Sequence, residues 1–184
     1  MSKKKSAKKK KIIQLVMDFF AFLILVAVDQ VTKHIAILKL KGQPSLKLID
    51  GVFELQYLEN RGAAFGMLQN GKVFFVFAAV VMLTAILFVL IKAPVSHKYR
   101  PWHVFLVMIA SGGIGNMIDR LRLDYVVDFF YFSLINFPIF NVADIYVTVG
   151  TALFVIFVLF FCKEEDLTFI SLSIQKKTSY RGPK

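Results

Sequence analysis

Residues 142–162 read VADIYVTVGTALFVIFVLFFC, and Asp144 is the one charge in the run. A helix of about 20 apolar residues crosses the hydrocarbon core of a bilayer, so this stretch is a membrane span and the fold is built in lipid. Three further runs of this kind stand upstream, roughly Ile12 to Ile37, Val73 to Ile91 and the shorter Trp102 to Ile118. The chain has 184 residues, is 57% hydrophobic and contains 20 Phe, a balance that suits four membrane helices rather than a water-soluble core. The expected class is a mainly α membrane protein, a bundle of four transmembrane helices.

Charge sets the orientation. The formal net charge is +11, and seven of the 23 basic residues are Lys3, Lys4, Lys5, Lys8, Lys9, Lys10 and Lys11. A basic run directly before an apolar span holds that end in the cytoplasm and attracts anionic headgroups, so no nucleic-acid partner is expected. The apolar run continues beyond Val28 without a small-x-small cleavage site, which makes it a retained helix rather than a removable leader. Lys92, Lys98 and Arg100 lie between the second and third spans, and Lys176, Lys177, Arg181 and Lys184 follow the fourth. Both termini are therefore expected in the cytoplasm. The organisation is a basic tail (1–11), a membrane domain (12–162) and a C-terminal tail (163–184). Segments of about 38–72 and 119–141 face the other side.

The first of these segments alternates apolar and polar residues from Leu46 to Tyr57 about Asp50-Gly51, which suits a hairpin with a two-residue turn. A small sheet on the membrane surface is expected between the first and second helices. The string Asn60-Arg-Gly-Ala-Ala-Phe-Gly66 follows, rich in small residues that allow close backbone approach.

An ionisable group within a span costs a few kcal/mol, so each one raises a functional question. Asp29 and Lys33 lie four residues apart on one helical face, and a neutralised structural pair is the competing reading. Asp18 sits near enough to the Lys tail to reach the interface and is given no role. In Gly112-Gly-Ile-Gly-Asn-Met-Ile-Asp-Arg120, Ser111 and Gly115 form a small-xxx-small seam, and Asn116 and Arg120 project to one side. Asp128 is wedged into Val126-Val-Asp-Phe-Phe130, where desolvation raises a carboxyl pKa. Asn141 lies one turn before Asp144, which as a helix-terminal residue also suits a capping role.

Two carboxyls embedded in apolar sequence on the same membrane face cannot both ionise cheaply. They share a proton, one acting as general base on water while the other polarises a carbonyl. That chemistry hydrolyses a peptide bond without metal or covalent intermediate. Rival chemistries lack their residues. His34, His97 and His103 are scattered without a His-Glu-x-x-His string, and Cys162 is the only cysteine. Ile109 stands where a Gly-x-Ser-Gly intramembrane serine protease would have its first glycine, and no phosphate loop follows a strand. No metal or cofactor is expected.

Five strings in order, Asp29-Gln-Val-Thr-Lys33, Asn60-Arg-Gly-Ala-Ala-Phe65, Gly112 to Arg120, Val127-Asp-Phe129 and Phe140-Asn-Val-Ala-Asp144, resemble the signature blocks of bacterial lipoprotein signal peptidases, the type II signal peptidases. The resemblance spans about Ile12 to Cys162. It implies a plasma-membrane aspartic endopeptidase that cleaves a prolipoprotein signal peptide before its diacylglyceryl-modified cysteine, with the active site near the outer leaflet. It implies Asp128 and Asp144 as the catalytic pair. Asp29, Lys33, Asn60, Gly62, Asn116, Arg120 and Asn141 match positions that support the pair or contact substrate and the family's cyclic-peptide inhibitors. Asp119 matches a family position without an assigned role. A monomer is expected, with the hairpin and the Asn60 segment holding an extended substrate by strand addition. A proton-coupled carrier is the alternative of another class, disfavoured by four spans without a repeat and by charges gathered at one face. A structural assembly factor is a third reading, and it has no need of two desolvated carboxyls.

Overall fold

The computed structural model describes residues 2–62 and 71–170. Ala63, Ala64 and Phe65 of the second signature string, Gly66 just after it, and the end of the C-terminal tail from residue 171 lie outside the described residues. Among the described residues, four helices are long and apolar enough to cross a membrane. They are α1 (Ser2–Leu40), α2 (Lys72–Lys92), α3 (Arg100–Leu123) and α4 (Val142–Phe161). A short α5 (Glu164–Leu167) follows α4.

The basic run read as a tail is the opening of α1, because lysine is a good helix former and no Pro or Gly interrupts residues 2–40. At 39 residues α1 is about 58 Å long, well beyond the roughly 30 Å hydrocarbon core. The third span also outruns its expected end at Ile118, since α3 continues to Leu123 and stops where Asp124 turns left-handed at φ 68°. Asp119 and Arg120, expected in a surface segment, are therefore helical, and Asp119 is buried.

α3 is the central helix and packs against α1, α2 and α4. Glycines open the way. A Cβ on Gly112 would overlap the backbone carbonyl of Ala143 in α4, and one on Gly115 would overlap the Asp29 carboxylate in α1. The close-packing seam runs through Gly112 and Gly115 and includes the buried Ser111, whose hydroxyl bonds the Val107 carbonyl of its own helix at 2.7 Å and lies 3.5 Å from the Phe22 carbonyl of α1. At one end of the bundle, Ile86, Leu90, Trp102 and Leu106 form a core with Phe154 and Phe157 around them. Outward-facing side chains such as Val73 and Phe160 are left 83% and 76% exposed, as a lipid-facing surface requires.

A three-stranded antiparallel sheet caps the other end in the order β1 (Leu46–Ile49), β2 (Phe53–Asn60), β3 (Val126–Tyr131). The expected hairpin is present, but its turn has three residues rather than two. Gly51 adopts φ 69° and Val52 donates back to the Ile49 carbonyl at 3.0 Å, so the left-handed residue falls one place later than a two-residue turn would need. The sheet also draws on the α3–α4 connection, because Val126–Tyr131 supplies its third strand. β2 is consequently central. It pairs with β1 only over Phe53–Leu55, so Gln56–Asn60 is the part of β2 whose edge is left open on that side. Val127 and Phe129 turn inward onto Ala36 and Leu40 of α1, and this second core fixes the sheet on the bundle.

Asp18 corrects the sequence reading. It does not reach outward but is buried against His103 of α3, its Oδ2 on the imidazole Nδ1, while Gln14 donates to Oδ1 at 2.9 Å. His103 is thus a packing partner of α1 rather than one of three scattered histidines. On α1, Asp18 lies four residues from Gln14, a spacing that was legible, but its partner comes from another helix.

Candidate active site

Asp128 and Asp144 border one cleft of about 1060 Å³, open beside the sheet. They arrive by different routes. Asp128 sits on β3 opposite Leu58, and Asn60 pairs with Val126, two residues away on the same face. This diagonal is within side-chain reach across an antiparallel pair. Asn60 Nδ2 donates to Asp128 Oδ2 at 2.8 Å, and Asn60 Oδ1 accepts the Gly62 N–H at 3.0 Å. Asp144 lies in the first turn of α4, whose capping box closes on itself: Asn141 Oδ1 accepts from the Asp144 N–H, and Asp144 Oδ2 accepts from the Asn141 N–H, both at 3.0 Å.

Asn141 joins the two carboxyls. Its Nδ2 donates to Asp128 Oδ1 at 2.6 Å while its other groups hold Asp144. Asn116 of α3 completes the frame, donating from Nδ2 to Asp144 Oδ1 at 2.8 Å. Its own Oδ1 accepts from Lys33 Nζ at 2.8 Å and from Asn141 Nδ2 at 3.1 Å. Three asparagines thus hold all four carboxyl oxygens of the pair. Amides are neutral donors, so they orient the carboxyls without adding charge to a site that must hold both protonation states.

Behind the cleft wall lies an ionic cluster that does not touch the cavity. Lys33 is 2% exposed and lies 3.0 Å from Asp29 Oδ2 and 3.1 Å from Asp119 Oδ2. Asp29 Oδ1 accepts the Ala143 N–H at 2.9 Å, at the start of α4 beside Asp144. Asp119 Oδ2 accepts the Val127 N–H at 3.1 Å, on β3 beside Asp128. Gln30 donates to both acids, at 3.1 and 3.0 Å, and to the Gly115 carbonyl. Buried acids need such partners.

Arg120 lines the cleft from α3. It donates to the Gly62 carbonyl at 3.0 Å and stacks 4.4 Å from the Phe75 ring of α2, rather than bonding either carboxyl of the pair. Leu58, Phe137, Phe140, Ile145 and Val149 make the remaining wall largely apolar. Burial and the charge of Asp144 push the Asp128 carboxyl up to about 7, against the opposing pull of the Asn60 and Asn141 amides and Lys33.

Of the residues singled out from the sequence, Asp128, Asp144, Asn60, Gly62, Asn116 and Arg120 border the cleft. Asp29, Lys33 and Asn141 are fully enclosed behind it. Asp119, Gln30 and Phe75 complete the site without having been assigned a part in it. The position of Asp119 next to Arg120 was a signal, whereas nothing in the run of apolar residues around Phe75 marks it.

The model of the family described as signal peptidase (SPase) II matches residues 21–160. A lipoprotein signal peptidase of Streptococcus thermophilus (strain CNRZ 1066) is 47% identical over 147 residues, 79% of this chain and 92% of the relative. One from Clostridioides difficile (strain 630) is 40% identical over 143 residues, 76% of this chain and 92% of the relative. A solved bacterial membrane enzyme superposes with a TM-score of 0.69 at 31% identity, covering 79% of this chain and 94% of that one.

Proposed function

The chain belongs to the signal peptidase II family, and on that premise we propose that it is a bacterial membrane aspartic endopeptidase that removes signal peptides from prolipoproteins, with Asp128 and Asp144 as its catalytic residues. The observation that carries the assignment is Asn141, which binds Asp128 through its side-chain amide and Asp144 through its capping box, so that both carboxyls are presented to one cleft.

In this reading the pair shares one proton, which rests on Asp128 because its carboxyl is pushed up to about 7. Asp144, ionised, takes a proton from water as the water oxygen attacks the scissile carbonyl carbon. Asp128 gives its proton to the carbonyl oxygen, so the tetrahedral intermediate forms as a neutral gem-diol. Collapse breaks the C–N bond: Asp144 passes its proton to the leaving nitrogen and Asp128 regains one from a hydroxyl, leaving a carboxylic acid and an amine. The released amine is that of the diacylglyceryl-modified cysteine. The apolar wall from Leu58 to Val149 suits a substrate whose acyl chains stay in lipid while its peptide enters the cleft.

Orientation follows from the bases. The Lys-rich start of α1 and Lys92, Lys98 and Arg100 lie at the end of the bundle away from the sheet, which supports an orientation with both termini in the cytoplasm and the cleft near the outer leaflet of the plasma membrane. Arg120, bonded to Gly62, holds the chain after β2 beside the cleft, where the family's cyclic-peptide inhibitors would compete with substrate. A monomer suffices in this reading, since one chain supplies both carboxyls and the asparagines that hold them.

The test is cleavage of a diacylglyceryl-modified prolipoprotein by purified protein in detergent, wild type against Asp128→Asn and Asp144→Asn, with folding matched by thermal unfolding. Loss of turnover by a factor of about 10² or more in both variants supports the assignment. Near-normal activity in either one refutes it.

A further inference from the structure

Away from the catalytic cleft, at the opposite end of the bundle, a second cavity of about 690 Å³ lies between the first turns of α1 and the end of α2. Ser6, Lys10 and Lys11 border it on one side and Lys92, Ala93 and Pro94 on the other. Lys11 gives it shape, donating from Nζ to the carbonyls of Leu90 at 2.6 Å and Ala93 at 2.5 Å. Those carbonyls are the negative pole of α2, and a bound ammonium neutralises it. Lys11 is thereby spent as a strut that ties the two helices together.

Lys10 and Lys92 also border the cavity, and among the described residues neither pairs with a carboxylate; the Lys92 ammonium lies 5.7 Å from the centroid of the Phe88 ring on its own helix. No acidic residue lines the space. Ile91 and Val95 complete its border and continue onto apolar faces left open to lipid, as do Ile12 and Ile13 on α1. Two cations without a carboxylate partner and a hydroxyl bordering one cavity, with an apolar rim at the end of a membrane span, match a phosphodiester carried on acyl chains.

The geometry points to a seat for the phosphate of an anionic phospholipid, held by Lys10 and Lys92 with Ser6 donating a hydrogen bond, while the acyl chains follow the lipid-facing sides of α1 and α2. The seat shares no lining residue with the cleft that holds Asp128 and Asp144, and its Ser6 and Lys10 precede residue 21, where the family match begins. It differs from generic attraction of a lysine-rich segment, in which each lysine near the surface contributes alike, roughly fivefold in affinity.

Charge-matched variants separate the two. In native mass spectrometry of the full chain in neutral detergent, phosphatidylglycerol retention is compared for wild type, Lys10→Gln/Lys92→Gln and Lys8→Gln/Lys9→Gln, with phosphatidylcholine as the zwitterionic control. Loss of about 20-fold or more in the first variant, under about threefold in the second, and prolipoprotein turnover unchanged in both is the expected result. Ser6→Trp, which fills the cavity without altering charge, lowers retention as well. Equal loss in the two double variants, or no loss on filling the cavity, overturns the proposal. So does displacement of the lipid by inorganic phosphate or by an RNA oligonucleotide at equal phosphate concentration, which would make the site one for free phosphate or for nucleic acid.

Discussion

Asp29 Oδ1 accepts the backbone N–H of Ala143 at 2.9 Å, a bond between residues 114 apart that ties the last third of α1 to the first turn of α4. The neighbour of Ala143 is Asp144, so a carboxylate that never meets the cleft sets where a cleft carboxyl stands. The other Asp29 oxygen is taken by Lys33. Asp29→Ala orphans the buried Ala143 amide and takes from the buried Lys33 ammonium one of its two carboxylates, and breaking such a buried pair costs about 3–5 kcal/mol. Its apparent Tm in detergent is expected to fall sharply. Asp29→Asn keeps an acceptor for Ala143 and is expected to fold while losing rate at least tenfold. Thermal unfolding and prolipoprotein cleavage on the same preparations check both.

The α3 glycines are not equivalent. A methyl group on Gly112 meets the Ala143 backbone carbonyl, which cannot step aside, and one on Gly115 meets the Asp29 carboxylate. On Gly113 it meets only the flexible end of Met82 at 2.5 Å. Gly112→Ala should therefore destabilise the bundle, Gly115→Ala should reduce turnover by displacing Asp29, and Gly113→Ala should stay close to wild type in both. A Gly113→Ala variant as impaired as Gly112→Ala would contradict this packing order.

Activity should decline as pH rises above about 7. The Asp128 carboxyl titrates near 7 against an ordinary value of 3.8, so raising the pH removes the proton the pair shares. The same shift has a stability consequence of fixed sign. Between about pH 4 and 7 the unfolded chain has lost the Asp128 proton while the folded chain keeps it, so this group's contribution to stability falls as pH rises through that window. Asp128→Asn removes the dependence. Its apparent Tm relative to wild type should climb from pH 4 to 7 and then level, alongside complete loss of cleavage. A difference that is flat with pH would refute the placement of the proton.

Arg120 works through the Gly62 carbonyl and the Phe75 ring. Lysine offers a point charge without the planar guanidinium, so Arg120→Lys should raise KM several-fold with a smaller change in kcat. Phe75→Leu should share part of that loss. A double-mutant cycle between them is expected to show coupling of about 0.5–2 kcal/mol, the range for a cation over an aromatic face. Additive losses would separate the ring from the guanidinium's role.

Much of the site was legible because polar residues in lipid are costly and stand out. Asp128 among Val126, Val127, Phe129 and Phe130, and Asp144 alone in its span, drew attention for that reason, and the five strings carried the family. The Asp50-Gly51 dipeptide located the hairpin but not the length of its turn, since the same pair serves two-residue and three-residue loops. The end of α3 was misplaced because Asp119 and Arg120 look like residues of a surface loop. They are tolerated in the helix only because Lys33 and the Val127 amide meet one, while the Gly62 carbonyl and Phe75 meet the other.

By itself, the sequence determined the solvent and the number of spans and singled out Asp128 and Asp144 as candidates, because each of these follows from local hydropathy, the cost of charge in lipid and ordered motifs. Tertiary structure alone decided that Asp29 caps α4, that Asp119 anchors β3, that Asn141 joins the two carboxyls and that Asp18 meets His103. Each of those bonds depends on how helices and strands are turned toward one another, and pairing across elements leaves no periodic trace along the chain.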